Sequence, residues 1–293
     1  MATRRSALAL AQSRAFAEAL AKASPVSVSE LQIVTSGDKT QDRSLQDIGG
    51  KGLFIKELEE ALLDGRADFA VHSIKDVPAE LAPQLALACV PAREDPRDVL
   101  VSKSGARLAD LPSGAVVGTS SLRRSVAVLT ARPDLRIEPV RGNVDTRLRK
   151  VTEGPLDAVI LALAGLKRLR IEDRASEILD PSVCLPAVGQ GALGIECREG
   201  DDPTFAALAP VSDMEAWRCV AAERAVMLAV AGSCRTPVAA FAEREGETMR
   251  LRAMLAEPDG TRPRSGERRI AWPNDFAEAE RLGRDLGEEL RRG

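Results

Sequence analysis

One segment constrains this chain more than any other: an apolar strand pattern that runs directly into a cluster of polar groups. Residues 68–71 predict the strand, and residues 72–76 (His-Ser-Ile-Lys-Asp) then supply an imidazole, a hydroxyl, an ammonium and a carboxylate. Pro78 prevents a helix from continuing there. Because α/β proteins place their chemistry at the carboxyl ends of strands, the segment is a candidate functional site. A solvated turn is the alternative, and the segment by itself favours neither.

The order of the helix and strand patterns predicts an α/β fold followed by a small extra domain. With 293 residues, the chain is long enough for two or three domains. Two stretches alternate on one plan of strand, polar turn and helix, which predicts mainly parallel sheets with helices on both faces. Residues 238–272 instead alternate like antiparallel strands, and residues 274–292 predict an amphipathic helix. The chain therefore ends in a smaller α+β domain.

Composition excludes several classes of protein. No apolar run approaches the roughly 18 residues that a membrane span needs, and the amino terminus lacks a signal-peptide core, so we expect a cytoplasmic protein. The chain has 5 cysteines without a C-x-x-C pair and 1 histidine. We therefore expect neither a disulfide framework nor a metal site.

Positive charge is concentrated in one stretch of an acidic chain. The net charge is −3, yet residues 120–170 hold 11 basic and 5 acidic side chains. Such a stretch suggests a local anionic ligand. Nucleic acid is the weaker option, because aromatic residues make up only 3% of the chain and include no tyrosine, so stacking platforms are scarce.

Three predicted helix starts combine free backbone N–H groups with a cationic side chain. They lie at residues 3–6 (Thr-Arg-Arg-Ser), 49–52 (Gly-Gly-Lys-Gly) and 119–124 (Thr-Ser-Ser-Leu-Arg-Arg). Such a start binds anions through its N–H groups, its dipole and the added charge, although each one by itself is more often a mere cap. Together with Arg141 and Arg147 beyond a strand end, they favour a polycarboxylate or polyphosphate ligand.

Three further features have a structural alternative. Residues 189–194 (Gly-x-Gly-x-x-Gly) match the dinucleotide fingerprint, but a strand pattern follows where the fingerprint needs a helix, so we expect a hinge or a close backbone approach. Cys234 lies beside Arg235, and a nearby cation favours the reactive thiolate, yet an isolated cysteine is by default packed and inert. His72 by itself is more often a structural histidine than a base.

Taken together, these segments resemble one family, the hydroxymethylbilane synthases, also called porphobilinogen deaminases. The resemblance covers nearly the whole chain in order. The matching segments are residues 3–6, 49–54, 70–78, 93–98, 118–124, 141–144, 161–169 and 185–191 and the loop at Cys234.

The resemblance implies a transferase that joins four porphobilinogen units head to tail, releases ammonia at each step and hydrolyses off linear hydroxymethylbilane. It implies a covalent dipyrromethane cofactor on Cys234, which overturns the inert interpretation of that thiol. Asp76 and Lys75 are the expected catalytic residues. The Asp76 carboxylate would bind pyrrole N–H groups, stabilise the positive charge formed at each coupling and help to move protons. We expect a monomer without nucleic-acid or membrane partners.

Because each pyrrole carries an acetate and a propionate, the resemblance also implies many cationic, hydroxyl and amide side chains around cofactor and substrate. The expected carboxylate-binding residues are Arg4, Ser6, Lys51, Ser73, Thr119, Ser120, Ser121, Arg123, Arg124, Arg141, Arg147, Arg168 and Gln190, with Lys75 contributing as well.

The implied fold has two lobes similar to periplasmic binding proteins, with mixed, mainly parallel sheets, plus a smaller carboxyl-terminal α+β domain. Domain 1 would hold residues 1–91 and 192–211, domain 2 residues 97–186, and domain 3, with the cofactor, residues 214–293. Few residues precede Thr3, so the first strand is expected to be frayed. Ser233 stands where glycine is frequent, and Asp47 where some relatives carry lysine, so no anion contact is expected at Asp47.

Two rival interpretations remain open from the sequence. A non-catalytic cytosolic sensor of the same clamshell fold would also grasp a small anion, and modification of Cys234 separates it from the enzyme. A nucleic-acid protein that uses residues 120–170 would instead show steeply salt-dependent DNA binding.

Overall fold

The computed structural model describes residues 1–39, 55–231 and 236–293. In chain order the strands are β1 (Ala2–Arg4), β2 (Leu31–Ile33), β3 (Phe69–Ser73), β4 (Leu85–Cys89), β5 (Asp98–Ser102), β6 (Val116–Gly118), β7 (Arg136–Glu138), β8 (Ala158–Ala162), β9 (Glu177–Ile178), β10 (Leu193–Arg198), β11 (Val238–Glu245), β12 (Thr248–Leu255) and β13 (Arg264–Ala271). The α-helices are α1 (Ala7–Ala23), α2 (Ser36–Lys39), α3 (Lys56–Leu63), α4 (Leu122–Ala131), α5 (Val144–Thr152), α6 (Leu163–Arg168), α7 (Asp202–Leu208), α8 (Met214–Ala229) and α9 (Phe276–Arg292). No helix in the described ranges is long and apolar enough to cross a membrane.

The first of two compact units comprises residues 1–94 and 192–217. Its described residues form a five-stranded mixed sheet in the order β2-β1-β3-β10-β4, in which β10 runs against the other strands. Phe16 and Leu20 of α1 cover one face of the sheet, and Leu58 and Leu62 of α3 cover the other. Because its central strands are buried on both faces, their sequences are mainly apolar, with Thr3, His72 and Glu196 as buried polar exceptions.

The second unit comprises residues 95–191 and 218–293. Its larger described sheet repeats the first design in the order β7-β6-β8-β5-β9, with β5 running against the others. The same unit holds an antiparallel sheet in the order β11-β12-β13. Apolar side chains of that sheet share a core with Val226 of α8 and Leu286 of α9.

The predicted fold class is confirmed. Within the described residues, each larger sheet has four strands in one direction and one against them, and a small antiparallel sheet with helices lies in the carboxyl-terminal part. β1 forms as a short strand of three residues that pairs with both β2 and β3. β5 was not predicted, because its buried run Val99–Val101 lies directly after a charged, proline-rich segment. The division into three domains stays a prediction.

The glycines at residues 189–194 serve the backbone. Gly189 and Gly191 have positive φ angles of 65° and 88°, a region that other residues enter only at a cost. A Cβ on Gly194 in β10 would collide with the side chain of Ile74. The segment is thus a turn followed by a site of close approach, and the predicted strand after it is present as β10.

Candidate active site

In the first unit, two parallel neighbouring strands end beside the predicted site residues. Arg4 is the last residue of β1 and Ser73 is the last residue of β3. Parallel strands end at the same edge of a sheet, so Ser6 after β1 and the turn at residues 74–76 after β3 share that edge. The structure therefore gathers the predicted residues of this unit along one edge, except Lys51, which lies outside the described residues.

The side chains at this edge differ in how they are held. Ser6 Oγ accepts the N–H of Ala9 at 3.3 Å and caps α1. Gln12 Nε2 donates to Ser73 Oγ at 3.1 Å. Asp76 is exposed, and its carboxylate makes no hydrogen bond or ion pair with the described residues. The Asp76 carboxylate can therefore bind a ligand without first giving up a partner.

In the second unit, basic and hydroxyl side chains follow three parallel strands. Thr119 comes directly after β6, Arg141 follows β7, and Arg168 ends the helix that follows β8. Since β6 pairs in parallel with both β7 and β8, these ends lie at one edge of the sheet.

The hydroxyl groups after β6 shape the start of α4. Ser121 Oγ accepts the N–H of Arg124 at 3.5 Å and caps the helix. Thr119 Oγ1 accepts the N–H of Ser121 at 3.1 Å, and Ser120 Oγ donates to the carbonyl oxygen of Val140 at 2.8 Å. These hydroxyl groups thus cap α4 and stabilise the turn before it, and they are also predicted to contact the ligand.

Two predicted arginines of this unit bind backbone carbonyl groups. Arg147 Nε donates to the oxygen of Gly142 at 2.8 Å, and Arg168 Nη2 donates to the oxygen of Gly191 at 2.6 Å. Arg141, Arg147 and Arg168 are all half-buried. These contacts orient the guanidinium groups relative to the turns that carry them.

A fully buried carboxylate at the start of β5 holds the two arginines of α4. Asp98 Oδ1 accepts hydrogen bonds from Arg124 Nε at 3.0 Å and Nη2 at 2.7 Å, and Oδ2 accepts one from Arg123 Nη1 at 2.7 Å. The Arg123 and Arg124 side chains are only 5% and 8% exposed. The Cys184 thiol donates to Oδ2 at 3.2 Å, and Gln190 Nε2 donates to Oδ1 at 3.0 Å. We call these five residues the Asp98 cluster.

The Asp98 cluster carries a net positive charge. Burial, together with the charge of Asp98, raises the pKa of the Cys184 thiol to about 12, so the thiol stays neutral. Burial would also raise the pKa of Asp98, but the positive charges of Arg123 and Arg124 outweigh it and hold that pKa well below its usual range. One carboxylate thus balances only one of two guanidinium groups, which stay protonated in proteins.

The two arginines differ in the donors that they have left. Arg124 uses Nε and Nη2 on Asp98 and Nη1 on the carbonyl oxygen of Ile160 at 3.1 Å. Arg123 uses Nη1, which reaches Asp98 and the carbonyl oxygen of Leu185. Among the described residues, Nε and Nη2 of Arg123 have no hydrogen-bond partner, and neither nitrogen is completely buried. Arg123 can therefore bind an anion while it holds Asp98, whereas Arg124 is committed to the fold.

A second buried carboxylate, Glu223 of α8, connects this cluster to the antiparallel sheet. Its Oε2 accepts the N–H of Gly189 at 2.6 Å, and its Oε1 accepts the N–H of Ala242 in β11 at 2.8 Å. The next residue, Gln190, donates to Asp98. Buried hydrogen bonds, together with the peptide link between Gly189 and Gln190, thus connect β11 to the arginines of the same unit.

Comparison with known proteins identifies the family. Residues 1–206 match the family model "Porphobilinogen deaminase, dipyromethane cofactor binding domain", and residues 217–292 match "Porphobilinogen deaminase, C-terminal domain". The chain is 72% identical over 294 residues to the porphobilinogen deaminase of Sorangium cellulosum, in a match that covers 100% of this chain and 98% of that protein. The chain belongs to the porphobilinogen deaminase family.

Other comparisons are more distant. The porphobilinogen deaminase of Albidiferax ferrireducens is 50% identical over 291 residues, covering 99% of this chain and 92% of that protein. Among solved structures, the periplasmic VFT2 domain of Bordetella pertussis BvgS gives a TM-score of 0.40 at 18% identity, covering 68% of this chain and 75% of that domain.

The family match confirms the predicted enzyme. The chain has porphobilinogen deaminase (hydroxymethylbilane synthase) activity, with porphobilinogen as its substrate. It acts in tetrapyrrole biosynthesis. This finding favours the enzyme over the non-catalytic sensor of the same fold.

The described residues fit the dipyrromethane that the family model names. Its acid side chains need fixed positive groups, and the Asp98 cluster offers a net positive charge with the unpartnered donors of Arg123. The predicted attachment residue, Cys234, lies outside the described residues, as does Ser233. The family model confirms the dipyrromethane cofactor, and its point of attachment stays a prediction.

Sequence reasoning missed Asp98 and Glu223 as site residues. Asp98 was noted only as the end of the charged segment at residues 93–98, although a carboxylate directly before three apolar residues indicates a buried counter-ion. Glu223, followed by Arg224, interrupts a mainly apolar stretch of α8 (Val-Ala-Ala-Glu-Arg-Ala-Val), which is a comparable signal. Both residues hold other parts of the predicted site in place, and nothing in the sequence marks them as groups that bind the substrate themselves.

The Asp98 cluster generates a prediction about stability. Replacing Asp98 by Asn leaves two buried guanidinium groups without a counter-ion, so the free energy of unfolding should fall by about 3–5 kcal/mol at pH 7, as measured by urea unfolding. Because the folded-state pKa of Asp98 is depressed, its stabilisation is present above the unfolded pKa of about 3.9 and is lost as the pH falls through the folded value. The difference between wild type and variant should shrink below about pH 4.

Asp134→Asn is the matched control in the same unit. Asp134 binds Arg132 at the surface, so the same substitution there should change the free energy of unfolding far less. Equal losses for the two variants would contradict the account of the Asp98 cluster.

Proposed function

We propose that Asp76 and Lys75 act on the reacting pyrrole and that the arginine-rich edge of the second unit binds the acid side chains of cofactor and substrate. The observation that carries this proposal is the Asp98 cluster, which keeps a net positive charge and leaves donors of Arg123 unpartnered. Each pyrrole unit brings an acetate and a propionate, and guanidinium groups bind carboxylates through paired, charge-assisted hydrogen bonds. The growing chain therefore matches the charge that the protein leaves uncompensated.

Each coupling joins the aminomethyl carbon of one porphobilinogen to the α-carbon of another pyrrole. The C–N bond breaks, ammonia leaves, and the α-carbon loses its proton. The dipyrromethane, when bound, supplies the pyrrole that receives the first unit. The exposed Asp76 carboxylate accepts hydrogen bonds from pyrrole N–H groups, stabilises the positive charge that develops there and takes up the proton.

The remaining predicted residues bind carboxylates directly or hold those that do. In the first unit they are Arg4, Ser6, Lys51 and Ser73, and in the second they are Thr119, Ser120, Ser121, Arg123, Arg124, Arg141, Arg147, Arg168 and Gln190. Arg124 and Gln190 contribute chiefly by fixing Asp98. Arg124 uses Nε, Nη1 and Nη2 on Asp98 and Ile160, and Gln190 donates Nε2 to Asp98. Cys234 carries the dipyrromethane through a thioether.

We also propose that the enzyme acts as a monomer in the cytoplasm. The described cysteines, Cys89, Cys184, Cys197 and Cys219, are all buried and form no disulfide among the described residues. Reduced thiols in a chain with several cysteines agree with a reducing compartment.

The role of Asp76 can be tested with a substitution of nearly equal shape. Asp76→Asn should lower kcat by about 100- to 1000-fold, because the amide neither balances the developing charge nor accepts the proton. The free energy of unfolding should stay within about 0.5 kcal/mol, since Asp76 is exposed. Glu80→Gln, which neutralises an exposed carboxylate four residues further on, should keep wild-type turnover. Wild-type turnover in the Asp76 variant would remove this residue from the mechanism.

The attachment of the cofactor can be tested by intact mass spectrometry. After normal expression, the wild-type chain should be heavier than its sequence by one dipyrromethane, and Cys234→Ser should have the sequence mass. Cys219→Ala, at a buried cysteine, should keep the added mass. A wild-type chain at its sequence mass, or an adduct that survives in Cys234→Ser, would contradict attachment at this residue.

A further inference from the structure

A buried histidine–glutamate pair lies beside the end of β3, just before the turn at residues 74–76. We call this turn the reactive turn. His72 Nε2 and Glu196 Oε2 are 2.9 Å apart, and the two side chains are 5% and 1% exposed. His72 lies on β3 and Glu196 on the neighbouring β10, on the same face of the sheet, since His72 pairs with Gly194. His72 thus has a buried hydrogen-bond partner, as a structural histidine would. The hydrogen bond alone does not say what the pair does.

Burying this pair costs more desolvation free energy than burying apolar side chains in the same positions. Glu196 Oε1 is completely buried and has no hydrogen-bond partner among the described residues. The pKa of Glu59 on α3 is raised, mainly by burial and also by the charge of Glu196. A second carboxylate therefore lies near the pair. Apolar side chains of similar volume would fill these positions at a lower cost. A polar cluster of this kind indicates a role beyond filling the core.

Alternate positions along β10 and just before it hold the segment that carries the reactive turn. The carbonyl oxygen of Ala192 accepts the N–H of Ile74 at 3.1 Å. Gly194 leaves the room that the fully buried side chain of Ile74 occupies. Glu196 binds His72. The end of β3 and the first residue of the turn are therefore both set by β10.

We propose that the His72–Glu196 hydrogen bond positions the reactive turn, which makes His72 a positioning residue for the coupling reaction. The contacts at Ile74 seat the turn on the sheet, and the hydrogen bond fixes the end of β3 from which the turn starts. Without this bond, the end of β3 can shift without unfolding, and Asp76 moves with it. The inference rests on the proposed role of Asp76.

Two amide substitutions at His72 test the hydrogen bond. Gln carries its amide nitrogen close to the position of Nε2 and can donate to Glu196, whereas Asn is one methylene shorter and does not reach. His72→Asn should lower kcat by about 100-fold with little change in KM, because a misplacement of about 1 Å has an effect of this size. His72→Gln should restore most of kcat. Both are assayed as the full chain, at equal dipyrromethane content by intact mass.

Cys197→Ala is the control for a loss of stability without a change in the pair. Cys197 follows Glu196 in β10 and is fully buried in the core on the opposite face. Its removal should lower the thermal midpoint and leave kcat at the wild-type value. Because the chain has 1 histidine, a single imidazole NMR signal reports on the pair. That signal should stay in place in Cys197→Ala and move in Glu196→Gln.

The outcomes separate this inference from the proposed function. A folded His72→Asn variant with the kcat of Cys197→Ala would overturn the inference, as would a His72→Gln variant as slow as His72→Asn. If the Asn variant does not fold, His72→Leu, which buries no unpaired amide, takes its place with the same expected loss. Wild-type turnover in Asp76→Asn would overturn both proposals. An inactive Asp76→Asn beside a fast His72→Asn would overturn the positioning role and leave the function standing.

Discussion

Asp98, a single buried carboxylate, holds two guanidinium groups at the start of β5, and the second unit depends on this interaction. Arginine keeps its charge in a protein, so two such side chains are buried only beside a counter-ion. Asp98 fixes the first turn of α4 against the sheet and, through Gln190, the turn at Gly189. Because one carboxylate serves two cations, a positive charge and the donors of Arg123 are left over. That remainder is what a ligand rich in carboxylates can use.

In both units, buried side chains fix the groups that are proposed to touch the substrate. In the first unit, Asp76 is exposed, while the residues that hold its turn, His72, Ile74 and Glu196, are buried. In the second, Arg123 is itself buried and is held by Asp98 through Nη1, but its Nε and Nη2 have no hydrogen-bond partner among the described residues. The supporting groups are thus rigid and shielded from water, and a ligand is met by donors and acceptors that have been oriented in advance.

Local patterns in the sequence predicted the fold class because buried parallel strands are continuous apolar runs. They failed at β5, where the strand begins with a carboxylate and follows a charged segment. They also could not separate Arg123 from Arg124, which are adjacent and of one type. The separation comes from partners far along the chain, Asp98 and the carbonyl oxygens of Ile160 and Leu185. Lys51 was predicted as an anion contact from its glycine-rich helix start, and Cys234 as the cofactor attachment from the family resemblance, and both lie outside the described residues.

The most direct test of this account compares Arg123→Lys with Arg124→Lys by steady-state kinetics and urea unfolding. Lysine at position 123 keeps an ammonium for Asp98 but loses the unpartnered donors, so KM for porphobilinogen should rise about 10-fold or more, while the free energy of unfolding changes little. Lysine at position 124 loses the paired bond to Asp98, so the free energy of unfolding should fall while KM stays close to that of the wild type. Equal effects of the two substitutions, or the reverse pattern, would contradict the account.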